Sequence, residues 1–413
     1  MKKNTMLLLS ILFSFFTLSS VQQAKSTDHN YYWMKITAHD KFERSVIANL
    51  GVAIEIVKDD YVIAYGNDRE LEKLKSMGKL VAASNLALEP LDFPTSDAAY
   101  HNYTELVEAM QTLAKQNPDL VQMTSIAKTI EGHDMWALRI TSDFAHADQK
   151  PAAIYMGGHH AREHLSVEMP LMLAQYLIAQ YRANNPRIVG LVNSRDIHII
   201  PTVNPDGMEY DIKDTSYKMW RKNRARNSDG TYGVDLNRNY GFQWGTGGSS
   251  TDTESEVYMG PKAFSEVEST AIKNYIEAHV NITTLLSFHS FSKLILYPWG
   301  HKYDGIENEK AKAVHETMAK KMATWNDYEP GQASGLYIAS GDTTDWAFGV
   351  HQIISFTFEL DPANSGFGGG GFYPGAGVIQ PVFDKNIEPM LYLLEYADNP
   401  YRVLNIGIGP IKP

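Results

Sequence analysis

Ala152-Ala153-Ile154-Tyr155-Met156-Gly157-Gly158-His159-His160-Ala161-Arg162-Glu163-His164 runs from an unbroken apolar stretch through two glycines into the densest group of metal-binding side chains in the chain. An apolar run with no polar alternation suits a strand covered on both faces, which places it in the middle of an α/β sheet. Side chains that follow such a strand stand beyond its carboxyl end, where open α/β sheets keep their ligands. Neutral imidazole and carboxylate at short spacing suit a borderline cation such as zinc. Spacing leaves the pairing open. His160 and Glu163 stand at i and i+3; His159 with Glu163, His160 with His164, and His164 with Glu168 are rival i, i+4 pairs. For any single histidine here, a buried structural role competes with a metal-binding one.

Working outward, residues 121–130, 135–140, 197–203, 284–288 and 353–359 also read as strands, several of them nearly continuous apolar runs. The helical period is clearest over 167–181, 266–278 and 387–396, with Pro170 expected in a first turn, where its missing N–H costs nothing. Before them, Leu106, Val107, Met110, Leu113 and Ala114 recur at helical spacing until Asn117-Pro118 stops them. Two strand ends carry polar residues that need a purpose. His289 closes 284–288 and Glu359 closes 353–358, and burying an unpaired carboxylate costs several kcal/mol or more. An ion pair with a nearby arginine is the plainer explanation. Asn204-Pro205-Asp206-Gly207 is first of all a tight turn. The glycine-rich run 368–371 lacks the Lys-Ser/Thr and helix of a phosphate cradle.

The first ninety residues differ in character. Lys2 and Lys3 precede an apolar run from Met6 to Leu18, too short to span a bilayer comfortably, and small residues at Ala24 and Ser26 follow. Residues 1–26 therefore read as a signal peptide, and export is expected. Next, strand-like segments at 31–36, 52–57 and 61–65 alternate with helix-like ones at 42–50 and 69–77, the pattern of a small α+β unit. Pro90, Pro94 and Ser96 mark a linker exposed to proteases. The chain has 413 residues, a net charge of −11 and no cysteine. Clustered basic surplus for nucleic acid is missing, and disulfides and thiolate metal sites are excluded.

In order along the chain, His160-Ala161-Arg162-Glu163, Asn204-Pro205-Asp206-Gly207, Trp220-Arg221-Lys222, Asp235-Leu236-Asn237-Arg238-Asn239, His289-Ser290, Tyr337 and Phe358-Glu359-Leu360 form a pattern. With it the sequence resembles the zinc carboxypeptidases of the carboxypeptidase A/B type, carboxypeptidase T among them, from Asp92 to near the C-terminus. The resemblance implies an α/β fold whose central mixed sheet is flanked by helices, preceded by a small α+β propeptide. It divides the chain into a signal peptide at 1–26, a propeptide at 27–91 and a catalytic domain at 92–413. It implies one zinc ion held by His160, Glu163 and His289, the ligand pattern of carboxypeptidase A itself. Asp235 would orient His160 from behind. Glu359 would be the general base and Arg221 the oxyanion donor. Asn237, Arg238 and Tyr337 would grip the substrate's terminal carboxylate, and Arg162 would touch substrate beyond the scissile bond.

Specificity is expected from Asp342 and Thr344, an arrangement similar to carboxypeptidase T, in which one pocket takes apolar and basic C-terminal side chains alike. The expected protein is thus a secreted monomeric zymogen that an activating protease opens, acting on peptide and protein C-termini and binding neither nucleic acid nor membrane. The same resemblance raises calcium, for which the acidic residues from Asp143 to Asp148 offer thin support. Two other readings are a hydrolase of the same fold that cleaves cell-wall peptides, and an exported peptide-binding module without catalysis. A serine hydrolase is disfavoured because no Gly-x-Ser-x-Gly elbow occurs.

Overall fold

The computed structural model describes residues 30–85, 99–213, 217–363 and 371–405. The expected signal peptide, the linker around Asp92-Phe93-Pro94, most of the glycine-rich run and the C-terminal tail lie outside these described residues. Tyr31–Thr37 (β1), Ala53–Val57 (β2), Tyr61–Asn67 (β3) and Leu80–Asn85 (β4) form an antiparallel sheet in the order β2-β3-β1-β4. Lys41–Ala48 (α1) and Asp68–Ser76 (α2) pack on one face, sharing a core with Met34, Ile36, Val62 and Ala64. Alternate residues Trp33, Ile63 and Tyr65 face the other way and cluster with Met219, Phe291 and Phe372 of the larger unit. Period-two alternation therefore builds both the small core and its docking face. The register of β2 on β3 shifts between Ile54 and Ile56, so Glu55 is the extra residue of a β-bulge, a device that re-aims a side chain.

The larger unit is an eight-stranded mixed sheet. Its strands are Val121–Lys128 (β5), Asp134–Ile140 (β6), Ala152–Met156 (β7), Asp196–Ile200 (β8), Ile282–Ser290 (β9), Leu294–Tyr297 (β10), Glu329–Gln332 (β11) and Ile354–Leu360 (β12). They lie in the order β11-β10-β12-β9-β7-β8-β6-β5, with β12, β9, β7 and β8 parallel at the centre. Tyr103–Gln116 (α3), Leu165–Arg182 (α4), Pro186–Ser194 (α5), Glu309–Asn326 (α8) and Ile379–Glu395 (α10) contribute to one core layer. Val267–Ala278 (α7) and Thr343–His351 (α9) cover the opposite face, and the short Pro205–Ile212 (α6) follows β8. Along β7 the two faces alternate: Ala153 and Tyr155 join the first layer, Ala152, Ile154 and Met156 the second. That double burial is why this strand has no polar residue.

Two expectations change, and one strand was not expected at all. α4 starts at Leu165, which carries Pro170 beyond the first turn into the helix. The amide missing at Pro170 leaves the Ser166 carbonyl without its intrahelical donor, and Gly157 approaches that oxygen so closely that a Cβ would stand 2.0 Å from it. α10 begins at Ile379, ahead of the expected 387. β11 reads Glu-Pro-Gly-Gln and has no strand signature; it is the edge of the sheet, where proline needs no partner for its missing donor. No helix among the described residues is long and apolar enough to cross a membrane.

Candidate active site

β9 and β12 run parallel with His289 directly opposite Glu359, so two polar residues leave adjacent strands at the same carboxyl end. The turn after β7 brings His160 and Glu163 to the same place. His160 Nδ1 lies 2.7 Å from Glu163 Oε1, His289 Nδ1 lies 2.9 Å from Glu163 Oε2, and the two Nδ1 atoms are 3.1 Å apart. Among the described residues, this is the only group of three or more His, Asp or Glu side chains gathered closely enough to hold a metal. The rival pairings fall away on geometry. His164 Nε2 turns to Asp211, Glu168 pairs with His101, and His159 contacts Tyr240 and Thr343.

Asp235 caps the single turn Leu236–Arg238 and bridges two functions. Its Oδ1 meets His160 Nε2 at 3.1 Å, and its Oδ2 accepts from Arg221 Nε and Nη2 at 3.1 and 3.0 Å. Burial would raise this carboxyl, but the Arg221 guanidinium and His160 outweigh it and hold the group well below the usual range. A carboxylate on Nε2 keeps the His160 proton there and leaves Nδ1 bare toward Glu163 and His289. Two bare or shared nitrogens and a carboxylate converging on one buried point are a donor set that zinc satisfies.

His160, Glu163 and His289 line a cavity of about 860 Å³ together with Arg221, Asn237, Arg238, Tyr337, Asp342, Thr344 and Glu359. Burial, and the charges of Glu163 and Glu55, push the Glu359 carboxyl well above its ordinary value. The Asn237 carboxamide oxygen accepts from both the amide and the hydroxyl of Thr343, each at 3.0 Å, which turns its NH₂ away from α9. Arg238 is held by the Gly248 and Asn237 carbonyls. Asp342 caps α9; its Oδ1 accepts from Thr344 and the Asp345 amide, while Oδ2 is buried without a protein partner among the described residues.

A family model described as zinc carboxypeptidase matches residues 106–389, which spans this whole constellation. The chain belongs to the zinc carboxypeptidase family. It is 36% identical over 341 residues to a zinc carboxypeptidase of Saccharothrix mutabilis subsp. capreolus, covering 80% of this chain and 77% of that protein. It is 35% identical over 310 residues to carboxypeptidase A2 of Rattus norvegicus, covering 73% and 72%. Among solved structures, carboxypeptidase A from Helicoverpa armigera superposes with a TM-score of 0.73 at 26% identity, over 89% of this chain and 97% of that one. The enzyme is therefore a zinc metallocarboxypeptidase, a hydrolase of peptide C-termini.

In this zinc carboxypeptidase the small N-terminal unit lies across the active-site cavity, and its strand β2 and the following turn form part of the cavity wall. Glu55, at the bulge, places Oε1 2.5 Å from Arg162 Nη2 and 3.9 Å from Arg221 Nη1. The Tyr337 hydroxyl donates to the Ile54 carbonyl at 3.3 Å, and Ser292 Oγ to the Glu55 carbonyl at 3.2 Å. α1 grips the adjoining loop: Arg44 Nε donates to the Leu336 carbonyl and Ser45 Oγ accepts from the Ile338 amide.

Arg162 is the expected substrate-binding residue that the structure sets apart. It is fully buried, paired with Glu55 and Glu256 between the rings of Tyr65 and Phe372, and does not line the cavity. Glu55 and Glu256 escaped sequence reasoning, and His159 entered it only as a rival metal-pairing partner of Glu163. Glu55 alone left a trace, as the one charge inside the apolar run Ala53-Ile54-Glu55-Ile56-Val57. The acidic residues considered for calcium are engaged otherwise: Asp143 contacts His146 and the Ala145 amide, and Asp148 pairs with Arg139.

Proposed function

We propose that the enzyme is a secreted monomeric zymogen, 1–26 serving as signal peptide and 27–91 as propeptide, whose catalytic domain at 92–413 removes apolar and basic residues from peptide C-termini. The observation that carries the reaction is the adjacency of Glu359 to the buried His160–Glu163–His289 group across two parallel strands. Held by those three side chains, zinc supplies Lewis-acid polarisation at the scissile carbonyl and makes water more acidic. Glu359 takes the proton from the attacking water and later delivers it to the leaving amine. Arg221, fixed by Asp235, faces the oxyanion as it forms. The Asn237 NH₂, Arg238 and the Tyr337 hydroxyl receive the terminal carboxylate, and Asp342 and Thr344 meet its side chain.

Support for the zymogen reading is that the N-terminal unit engages two of these groups, with Glu55 beside Arg221 and the Ile54 carbonyl accepting from the Tyr337 hydroxyl, and that Glu55 also pairs with Arg162 next to them. The activating cleavage belongs to a protease that cuts the segment between Asn85 and Ala99. The mature form starting near Asp92 should cleave peptides with a free C-terminus and spare amidated ones. A zinc chelator should abolish that activity, and added zinc restore it. Glu359→Gln should lose about 10²–10⁴ of kcat with zinc retained. Cleavage of amidated peptides, or full activity of Glu359→Gln, would overturn the mechanism. Equal activity of the full-length chain would overturn the zymogen, and turnover confined to one of Lys, Arg, Phe and Leu ends the broad specificity.

A further inference from the structure

His159 lies behind the metal group with no role in the reaction above, completely buried between β9 and α9. Its ring stacks on that of His289, centroids 5.5 Å apart and planes 20° from parallel. His289 Nε2 is buried without a protein partner among the described residues, and the His159 ring packs against the imidazole from behind. On its other side, His159 Nε2 is 3.0 Å from Thr343 Oγ1 and 3.0 Å from the Tyr240 hydroxyl.

The direction of each hydrogen bond follows from the backbone. The Thr343 amide can only donate, so the Asn237 atom 3.0 Å from it is the carboxamide oxygen. The Thr343 hydroxyl, also 3.0 Å from that oxygen, must donate to it as well. Its lone pairs are then left to accept, one from His159 Nε2–H and one from the Tyr240 hydroxyl. His159 Nδ1 is the acceptor, facing Ser287 Oγ at 3.4 Å.

We infer that His159 is a positioning residue that, through the Thr343 hydroxyl, fixes the Asn237 carboxamide with its NH₂ toward the substrate's terminal carboxylate while backing the ring of His289. The inference rests on the proposed role of Asn237. It makes recognition of the carboxylate depend on a side chain that never touches substrate, and ties the start of α9, with its specificity residues, to the metal side of the site.

The test uses the mature enzyme and pairs His159→Phe, which keeps a stacking ring and removes the relay, with Thr343→Val, which removes only the hydroxyl. For a peptide with a free C-terminus, both should raise KM about tenfold, the loss of one oriented hydrogen bond, with kcat changed much less and zinc content kept. Calorimetry with 3-phenylpropanoate should show the same weakening without turnover. In an Asn237→Ala background neither change should weaken binding further, since both act through that carboxamide. Undiminished effects in that background, or unchanged KM and 3-phenylpropanoate affinity in Thr343→Val, would overturn the relay alone. An Asn237→Ala enzyme with unchanged KM would overturn the carboxylate grip, and the relay with it.

Discussion

At the pocket floor, Asp342 carries a carboxyl that burial, and then the charge of Asp345, push up to about 7, against hydrogen bonds from Thr344 and the Asp345 amide. Below that pH it is neutral and the pocket is apolar with a hydroxyl; above it, the pocket holds a negative charge. The ratio of kcat/KM for C-terminal Lys over Phe should therefore climb as pH rises from about 5.5 to 8, by about tenfold, because each unit of pKa corresponds to about 1.4 kcal/mol. In Asp342→Asn the ratio should stay low and flat. Asp235 makes a second expectation. Asp235→Asn leaves His160 without its anionic partner and Arg221 without its anchor, so zinc affinity measured by competition with a chelator should fall about 10–100-fold. Which histidine pairs with which carboxylate was undecidable from spacing, since several pairs fit one helical turn. The strand end of β7 and the backbone turn after it selected His160 and Glu163 and sent His164 to Asp211.

Elements obeyed local rules wherever burial was two-sided or an apolar stripe was long. β7 matches the expected bounds, β9 extends its own by two residues at each end, and β12 is shifted by one, because strands covered on both faces write an uninterrupted apolar signal. The N-terminal α+β unit was legible for the complementary reason, period-two alternation with capped helices; Asn67 and Glu70 form a full capping box on α2. β11 and the inward position of Pro170 were not legible, since each is stabilised by a neighbour and not by its own sequence. The junction of β7 and α4 yields a test. Gly157→Ala drives a Cβ against the Ser166 carbonyl, and such overpacking costs about 1–3 kcal/mol. Thermal unfolding of the mature enzyme should shift down by roughly 2–4 °C for each kcal/mol lost. An unchanged midpoint would mean the helix start yields freely, contrary to its tie through Ser166 Oγ to the Gly158 amide and the Glu163 carbonyl.

Across the whole molecule, the N-terminal unit places carboxylates where the catalytic domain is partly acidic. Glu70 is buried in α2, and burial pushes its carboxyl up to about 7, with Asp252 and Glu256 of the catalytic domain adding to the rise. A carboxyl raised on folding contributes stability that is fully present below its unfolded value, about 4.3, and lost as pH rises through about 7. Thermal stability of the full-length chain should therefore decline over that window, and Glu70→Gln should flatten the decline. A pH profile indistinguishable between the two proteins would remove Glu70 from the docking balance. Glu55 contributes through its ion pair with Arg162. Deleting one member of a buried ion pair leaves Arg162 partly uncompensated, at a cost of about 3–5 kcal/mol. After the linker is cut, Glu55→Gln should accordingly release activity faster than the parent chain.

By itself the sequence determined the α/β class, the small unit ahead of it, and the list of side chains able to carry the chemistry, because apolar period and motif order are properties of neighbours along the chain. Tertiary structure alone decided that Glu55 meets Arg162 across 107 residues and that Arg162 is withdrawn from the cavity. It also decided that His159 stands between a metal-binding ring and the Asn237 carboxamide. Those are contacts between surfaces brought together by packing, and a buried charge or imidazole acquires its role only from the groups that close around it.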